Sequence, residues 1–239
     1  MTRDRAARSN DRSAMHLTPE LVAGTVRKVP DEGSEPGWTP LPDDELDLLT
    51  ERIAREAGTD PIWVFAYGSL IWNPGFEVAG RERATAYGRH RAFSLRMERW
   101  RATSEQSDLI MALEAGGTCQ GLNLRLPDED RLQELRTLLQ REIRYRGVID
   151  MVRWLRVRTP NGSRRALTFW AGVKGDRSAR DLPLPAVAIM LARACGPAGS
   201  CAEYLHNTVA HLEAEGIRDR NLWRLQALVA EDLGQRRVE

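Results

Sequence analysis

The sequence has few cysteines and no excess of charge of either sign. Its three cysteines, Cys119, Cys195 and Cys201, are an odd number without C-x-x-C or Cys/His ligand spacing, which argues against a disulfide framework and against a zinc site. The 35 basic and 34 acidic residues leave a formal net charge of +1, so no overall field indicates nucleic acid or an anionic membrane as a partner. A small neutral or zwitterionic ligand fits better, and the oligomeric state is left open.

Long hydrophobic runs are also absent. No apolar stretch approaches the ~20 residues of a membrane span, and the start "MTRDRAARSNDR" lacks the apolar segment of a secretory signal. We therefore expect a cytoplasmic protein without membrane contact. Translation could begin at Met1 or at Met15, which precedes "HLTPELVAGTV", and the sequence leaves both starts open.

The chain divides into three parts by composition. Residues 1–40 are polar and rich in Arg, Pro and Gly, which predicts a poorly ordered tail because so few apolar side chains do not offset chain entropy. Residues 41–58 predict an amphipathic helix, with Leu46, Leu49 and Ile53 at helical spacing. Residues 61–234 predict one folded domain.

Strands dominate the first half of that domain and helices the second. "IWVFAY" predicts a buried strand, "DLIMALEAGGTCQGLNLRL" two strands around a Gly116-Gly117 turn, and "MVRWLRVRTPNGSRRALTFWAG" a hairpin around Asn161-Gly162. Helices are predicted over "DLPLPAVAIMLARACG", after Ser200 and after Asp219. The predicted class is α+β, with a mostly antiparallel, barrel-like β-sheet and flanking helices.

The helix predicted over "DEDRLQELRTLLQREIRYRG" carries a carboxylate on its apolar face. At about 100° per residue, Glu142 lies within the apolar stripe, whereas Glu134 and Arg141 are expected to point to water. The stripe consists of Leu132, Leu135, Leu138, Leu139 and Ile143. Burial raises the pKa of a carboxyl group toward the range of a general base. A position at the edge of the stripe, or an ion pair with Arg144 or Arg146, is the favoured alternative when this pattern is taken alone.

The run "IWVFAYGSLIW" is interrupted by Tyr67, Gly68, Ser69 and Leu70. A buried strand that opens into this sequence would present consecutive backbone N–H groups, with no side chain at Gly68, as a cradle for an anion or an oxyanion. A β-bulge in a core strand is the commoner explanation of a bare Gly-Ser pair.

The stretch "VFAYGSLIWNPGF" resembles the signature of the ChaC-like γ-glutamylcyclotransferases. The resemblance continues in "GGTCQGLNLRLP", in the R-E pair of "LLQREI" and in "ACGPAGSCAEYLHNTVAHL", and it spans residues 61 to about 233. It implies that Tyr67, Gly68, Ser69 and Leu70 bind the substrate and that Glu142 is the catalytic acid/base. It also implies that glutathione is cleaved to 5-oxoproline and cysteinylglycine without a metal or an organic cofactor.

Two segments depart from the pattern of that family. "MERWRATSEQSD" stands where the family has a loop of the type H-R-G-T-x-x-x-P-G, and Ile143, Arg144 and Tyr145 replace glycines that often follow the R-E pair. The choice among γ-glutamyl substrates is therefore left open. A non-catalytic γ-glutamyl-binding or interaction protein on the same fold is the alternative function.

A basic stretch with one tryptophan, Trp100, precedes and enters the first of these segments. Because the total charge is near neutral and the arginines alternate as in a strand, we predict a solvated face rather than a nucleic-acid surface, with one or two arginines facing ligand carboxylates. The arginines are Arg81, Arg83, Arg89, Arg91, Arg96, Arg99 and Arg101. Trp63, Trp72 and Trp170 are predicted to be core or pocket wall.

Overall fold

A computed structural model describes residues 14–171 and 177–236. Within these residues, five strands form a closed barrel in the order β1-β3-β2-β4-β5. The strands are β1 (Trp63–Ala66), β2 (Gly80–Met97), β3 (Asp108–Arg125), β4 (Arg153–Thr159) and β5 (Gly162–Thr168). β1 and β5 pair in parallel and the other neighbours pair antiparallel. The predicted α+β class with a barrel-like, mostly antiparallel sheet is confirmed.

Helices flank the barrel and contribute to a shared apolar core. They are α1 (Pro19–Ala23), α2 (Asp43–Ala57), α3 (Arg131–Glu142), α4 (Leu184–Arg193), α5 (Cys201–Ala214) and α6 (Arg220–Arg236), with a short ribbon of β6 (Cys195–Gly196) and β7 (Gly199–Ser200) before α5. α2 lies where the amphipathic helix is predicted, and its apolar face is buried against α3. None of the helices in the described residues has the length and hydropathy that a membrane span requires.

The Gly116-Gly117 pair is not the predicted turn. β3 runs through it without a break, because Tyr87 pairs with Thr118 and Arg89 pairs with Ala115 on either side of it. Both glycines have positive φ angles, and two residues of β3 oppose one of β2, which is a β-bulge. The pairing of β2 with β3 extends to Met97 and Asp108, so the connection between these two strands lies at residues 98–107.

The structure also differs from the predicted tail. Residues 1–13 lie outside the described residues, but Leu17 and Val22 are buried in the main core. The side-chain oxygen of Gln226 on α6 accepts hydrogen bonds of 2.8 Å from the backbone N–H groups of His16 and Leu17. The few apolar side chains of this segment are enough to fix it because they pack against helices α5 and α6.

One arginine of the predicted solvated face is buried instead. The side chain of Arg91 on β2 is fully enclosed, forms an ion pair with Asp219 at 3.3 Å and donates to the thiol of Cys119 at 3.3 Å. Because a buried guanidinium requires a counter-charge, Asp219 at the start of α6 ties that helix to the barrel. Cys119 is a buried free thiol.

Candidate active site

A cavity of about 670 Å³ opens at one end of the barrel. The chain after β1 and the end of α3 both line it, so Tyr67, Gly68, Ser69, Leu70 and Glu142 share its wall. At least 72 residues separate Glu142 from the other four. The structure therefore brings together all five residues that the sequence singles out.

The Gly-Ser pair is explained by a tight turn and a close approach. After β1 the chain forms a 3₁₀ turn over Ser69–Ile71, rather than a bulge. A Cβ atom at Gly68 would lie 2.7 Å from the hydroxyl oxygen of Tyr204, which is closer than a carbon side chain tolerates. That hydroxyl accepts a hydrogen bond of 3.2 Å from the backbone N–H of Ser69. Gly68 is thus required by the position of Tyr204.

The first residues of the turn lie on the cavity wall. The first amides of a 3₁₀ turn have no acceptor within the turn, and they favour an anion or a developing oxyanion. Tyr67 and Leu70, on either side, are buried, and the Tyr67 hydroxyl donates to the carbonyl oxygen of Phe169 at 2.9 Å. Burial holds the pKa of Tyr67 well above its ordinary value, so this phenol is a neutral, anchored part of the wall.

Glu142 is the last residue of α3 and is 8% exposed. One carboxylate oxygen accepts a hydrogen bond of 3.1 Å from the indole N–H of Trp170, and the other lies 3.3 Å from Nε of Arg141. Burial raises the pKa of Glu142 above its ordinary value, and Arg141, Trp170 and Arg144 offset part of that rise. A buried carboxylate with a raised pKa and a fixed orientation is suited to accept and return a proton.

The helical face predicted for α3 is right at Glu142 and wrong at two other residues. Leu132, in the first turn, is 52% exposed, because the core contacts of α3 begin one turn later at Leu135. Arg141 lines the cavity instead of pointing to water, since its long side chain reaches back to Glu142 and to the side-chain oxygen of Asn73 at 3.4 Å. Arg146, the alternative partner of Glu142, pairs with Glu45 on α2.

Sequence reasoning missed the roles of three further residues in this wall. Trp170 was expected only as core or pocket wall, yet it has a positive φ of 52° and orients Glu142. Tyr204 on α5 lies against the turn, and burial raises its pKa. Asp108 is 3% exposed, accepts a hydrogen bond from the Cys201 thiol, and has its pKa raised by burial to about 7. The long-range contacts that define these roles have no local sequence signal.

No group of three or more His, Cys, Asp or Glu side chains within residues 14–171 and 177–236 is arranged to hold a metal ion. The polar groups on the cavity wall are backbone amides, carboxylates, arginines and hydroxyl groups. This set can bind a zwitterion, transfer a proton and stabilise negative charge on oxygen.

Comparison with known proteins identifies the family of this chain. The model of the ChaC-like protein family matches residues 62–232, and the chain belongs to this family, as its motifs predict. It is 33% identical over 175 residues to the glutathione-specific γ-glutamylcyclotransferase of Escherichia coli (strain K12), covering 73% of this chain and 75% of that relative.

A plant relative and a solved structure agree with this assignment. The chain is 29% identical over 175 residues to γ-glutamylcyclotransferase 2-3 of Arabidopsis thaliana, covering 67% of this chain and 84% of the relative. A crystal structure of the glutathione-specific γ-glutamyl cyclotransferase from yeast matches with a TM-score of 0.64 at 18% identity, covering 72% of this chain and 96% of that one. The yeast protein thus shares the fold.

Proposed function

We propose that this protein is a γ-glutamylcyclotransferase that converts glutathione to 5-oxoproline and cysteinylglycine. The observation that carries the proposal is the buried Glu142, which shares one cavity with the backbone amides of the Tyr67–Leu70 turn. Membership of the ChaC-like family and the names of the Escherichia coli and Arabidopsis relatives support it.

A γ-glutamyl compound carries its own nucleophile. Its α-amine attacks the carbonyl carbon of the γ-amide, a C–N bond closes the five-membered ring, and the C–N bond to the leaving amine breaks. Because both reacting groups belong to one molecule, holding that molecule in a bent conformation supplies much of the rate. No covalent bond to the protein is required.

Glu142 would perform the proton transfers of this reaction. Its carboxylate accepts the proton that the α-nitrogen loses and delivers a proton to the nitrogen of the leaving amine, so the carboxylate is regenerated after each turnover. Trp170 and Arg141 fix its two oxygens. The raised pKa of Glu142 makes its carboxylate a stronger base than that of an exposed glutamate.

The turn after β1 would hold the negative charges. The α-carboxylate of the glutamyl group or the oxyanion formed on the γ-carbonyl can accept hydrogen bonds from the Gly68 and Leu70 amides, since the Ser69 amide donates to the Tyr204 hydroxyl. Tyr204 holds the Ser69 amide in place, and Arg141 adds positive charge beside Glu142. Glu142 and the turn would thus act on the same substrate within one cavity.

The non-catalytic alternative is not favoured, because the relatives that match are named as enzymes. Mass spectrometry of the purified protein incubated with glutathione tests the proposal. We expect 5-oxoproline and cysteinylglycine in equal amounts, accumulating in proportion to enzyme concentration. Absence of 5-oxoproline from glutathione and from other γ-glutamyl compounds would overturn it.

A further inference from the structure

A segment outside the family-matching region forms part of the cavity rim. We call residues 31–41 the strap; it runs from the end of the N-terminal segment to the start of α2. Asp31, Gly33, Ser34 and Pro40 of the strap line the cavity, although the ChaC-like match begins at residue 62. The site of this protein is therefore completed by a segment that its family signature does not include.

The strap holds the connection between β2 and β3. Glu32 pairs with Arg99 at 2.8 Å and accepts a hydrogen bond of 3.2 Å from the backbone N–H of Ser104. Glu35, which is 1% exposed, accepts a hydrogen bond of 2.9 Å from the backbone N–H of Glu98 and forms an ion pair with Arg177. A buried carboxylate paired in this way fixes the strap and the connection relative to each other.

The strap also holds the residues that follow Glu142. The Tyr145 hydroxyl accepts a hydrogen bond of 2.9 Å from the backbone N–H of Glu35, and the Arg144 carbonyl accepts one of 2.9 Å from the backbone N–H of Leu41. Trp38 meets Tyr145 edge to face at 5.2 Å. The strap thus joins the two segments in which this chain departs from the usual pattern of its family.

A stacked cation lies between these two segments. Trp100 has a positive φ of 72°, a conformation that a bulky residue rarely adopts without a reason. The guanidinium carbon of Arg144 lies 3.8 Å from the centre of its ring. A guanidinium held over an aromatic face keeps the N–H donors at its edge for a carboxylate. Arg99 and Arg101 also line the cavity, but they are paired with Glu32 and Glu203.

The exposed fractions of the wall residues indicate how a substrate lies in the cavity. The reacting bond must lie at Glu142, which is 8% exposed, whereas Trp100 is 46% exposed and marks the opening. The leaving amine is the part of the substrate that varies in size and departs, so it extends toward the opening. There it meets the strap, Trp100 and Arg144.

We propose that the strap, Trp100 and Arg144 form a leaving-group subsite that selects γ-glutamyl compounds whose leaving amine ends in a carboxylate. Arg144 binds that carboxylate through charge-assisted hydrogen bonds, and the strap holds Arg144 and Trp100 in fixed positions relative to each other. This proposal rests on the proposed function, since it concerns the same cavity and the same reaction.

Glutathione and its glycine amide test the carboxylate contact, because they differ only at the far end of the leaving group. A charge-assisted hydrogen bond is worth about 10- to 100-fold in binding, so we expect the wild-type kcat/KM for glutathione to exceed that for the amide by about this factor. In Arg144→Gln the ratio should fall to within about threefold of unity, mainly through KM. Arg146→Gln, which removes an arginine paired with Glu45 outside the cavity, is the control and should keep the wild-type ratio.

A second variant tests the strap without touching the carboxylate contact. Glu32→Gln removes the ion pair to Arg99, and we expect a rise of about three- to tenfold in KM for glutathione with kcat nearly unchanged, together with a smaller acid-to-amide ratio. Glu213→Gln, which removes an exposed ion pair with Arg218 at the end of α5, should match wild type. An unchanged acid-to-amide ratio in Arg144→Gln would overturn the leaving-group subsite, and an unchanged ratio in Glu32→Gln would overturn the part of the strap in it.

The outcomes separate this inference from the proposed function. Equal wild-type turnover of glutathione and its amide to 5-oxoproline would leave the cyclotransferase intact and refute the subsite. A proportional loss for both substrates in Arg144→Gln would also refute it, because Arg144 would then act on the glutamyl half. No 5-oxoproline from either substrate with the wild-type protein would refute the proposed function itself.

Discussion

The buried end of the cavity and its rim are built in different ways. The buried end consists of the turn after β1, the last residue of α3 and side chains of α5, all held by the barrel and its core. The rim consists of the strap, the connection between β2 and β3 and the residues after Glu142, joined mainly by ion pairs and single hydrogen bonds. We infer that the chemistry is placed on the packed framework, whereas substrate choice is placed on the rim, which polar contacts hold to that framework.

The largest effect should follow from removing the proton acceptor at the buried end. Glu142→Gln keeps the size of the side chain and the hydrogen bond from Trp170, but not the basicity. General acid–base catalysis contributes typically 10²- to 10⁴-fold, and one group serves both transfers here, so we expect kcat to fall by roughly 10³-fold or more with little change in substrate affinity. Single-turnover kinetics and calorimetry measure the two quantities.

Glu134→Gln is the matched control on the same helix. Glu134 does not line the cavity and accepts a hydrogen bond from the backbone N–H of Glu77, so this variant should be close to wild type. If Glu142→Gln retained more than about a tenth of the wild-type kcat, a general base at this position would be contradicted.

The sequence predicted the buried end better than the rim. Periodicity placed Glu142 on the buried face of α3, and the Gly-Ser break marked the turn, because both signals are local. The hydrogen bond from Trp170 and the contact of Gly68 with Tyr204 have no local signal, since 28 and 136 residues separate the partners.

The contacts of the rim were not predicted, because they too join residues that are far apart in the sequence and have even less local signal. Glu32 and Arg99 are 67 residues apart, and each is an ordinary charged residue in a polar stretch. Residues 14–40 were assigned to a tail because their apolar content is low, whereas the structure shows that a few buried side chains and one buried ion pair at Glu35 are enough to fix them. The Gly116-Gly117 pair suggested a turn because a bulge and a tight turn both require positive φ angles.

A smaller loss should follow from filling the space at Gly68. Gly68 has a negative φ of −135°, so Gly68→Ala does not place alanine in the left-handed region, but its Cβ would displace the Tyr204 hydroxyl from the Ser69 amide. We expect kcat/KM to fall by roughly 10- to 100-fold, the cost of one misplaced stabilising donor or less. Gly147→Ala, where no atom lies within 4 Å of the added Cβ, is the control. Partial recovery of kcat/KM in the double variant Gly68→Ala/Tyr204→Phe would show that the loss comes from contact between the added Cβ and the Tyr204 hydroxyl. Wild-type activity of Gly68→Ala would exclude a role for this close approach.

Trp170→Phe should act through the pKa of Glu142. The indole N–H stabilises the ionised carboxylate and so lowers the pKa that burial raises; without it the pKa of Glu142 rises further. Because the ionised form is the base, the acidic limb of the pH profile of kcat/KM should move to higher pH, with the largest loss on the acidic side of the profile and little on its alkaline side. Trp72→Phe removes an indole N–H that donates to Thr208 instead, and its profile should keep the wild-type position. A profile that does not move in Trp170→Phe would contradict this positioning role.

The smallest effect on activity, but a clear effect on stability, is expected at Asp108. Burial raises the pKa of Asp108 from its ordinary value of 3.8 to about 7 in the folded protein. The folded state therefore binds the proton more tightly, and stability is lost as pH rises from about 4 to about 7. The loss is at most about 4 kcal/mol, so Asp108→Asn should raise Tm at pH 8 by up to about 10 °C and leave it unchanged near pH 4.

Asp150→Asn, at an exposed position, is the control for these melts and should match wild type at both pH values. Thermal melts at pH 4 and pH 8 measure the difference. An equal Tm for Asp108→Asn and wild type at pH 8 would show that the carboxylate of Asp108 is not destabilised by burial.

A crystal structure of Glu142→Gln with intact glutathione tests the division of the cavity most directly, since this variant is expected to bind substrate without turning it over. We predict the γ-amide nitrogen within hydrogen-bond distance, about 3 Å, of the side chain at position 142. The glycyl carboxylate should then lie at Arg144 beneath the strap. A glutathione bound in the opposite direction, with its glycyl carboxylate at the Tyr67–Leu70 turn and its γ-glutamyl group at the rim, would contradict the account.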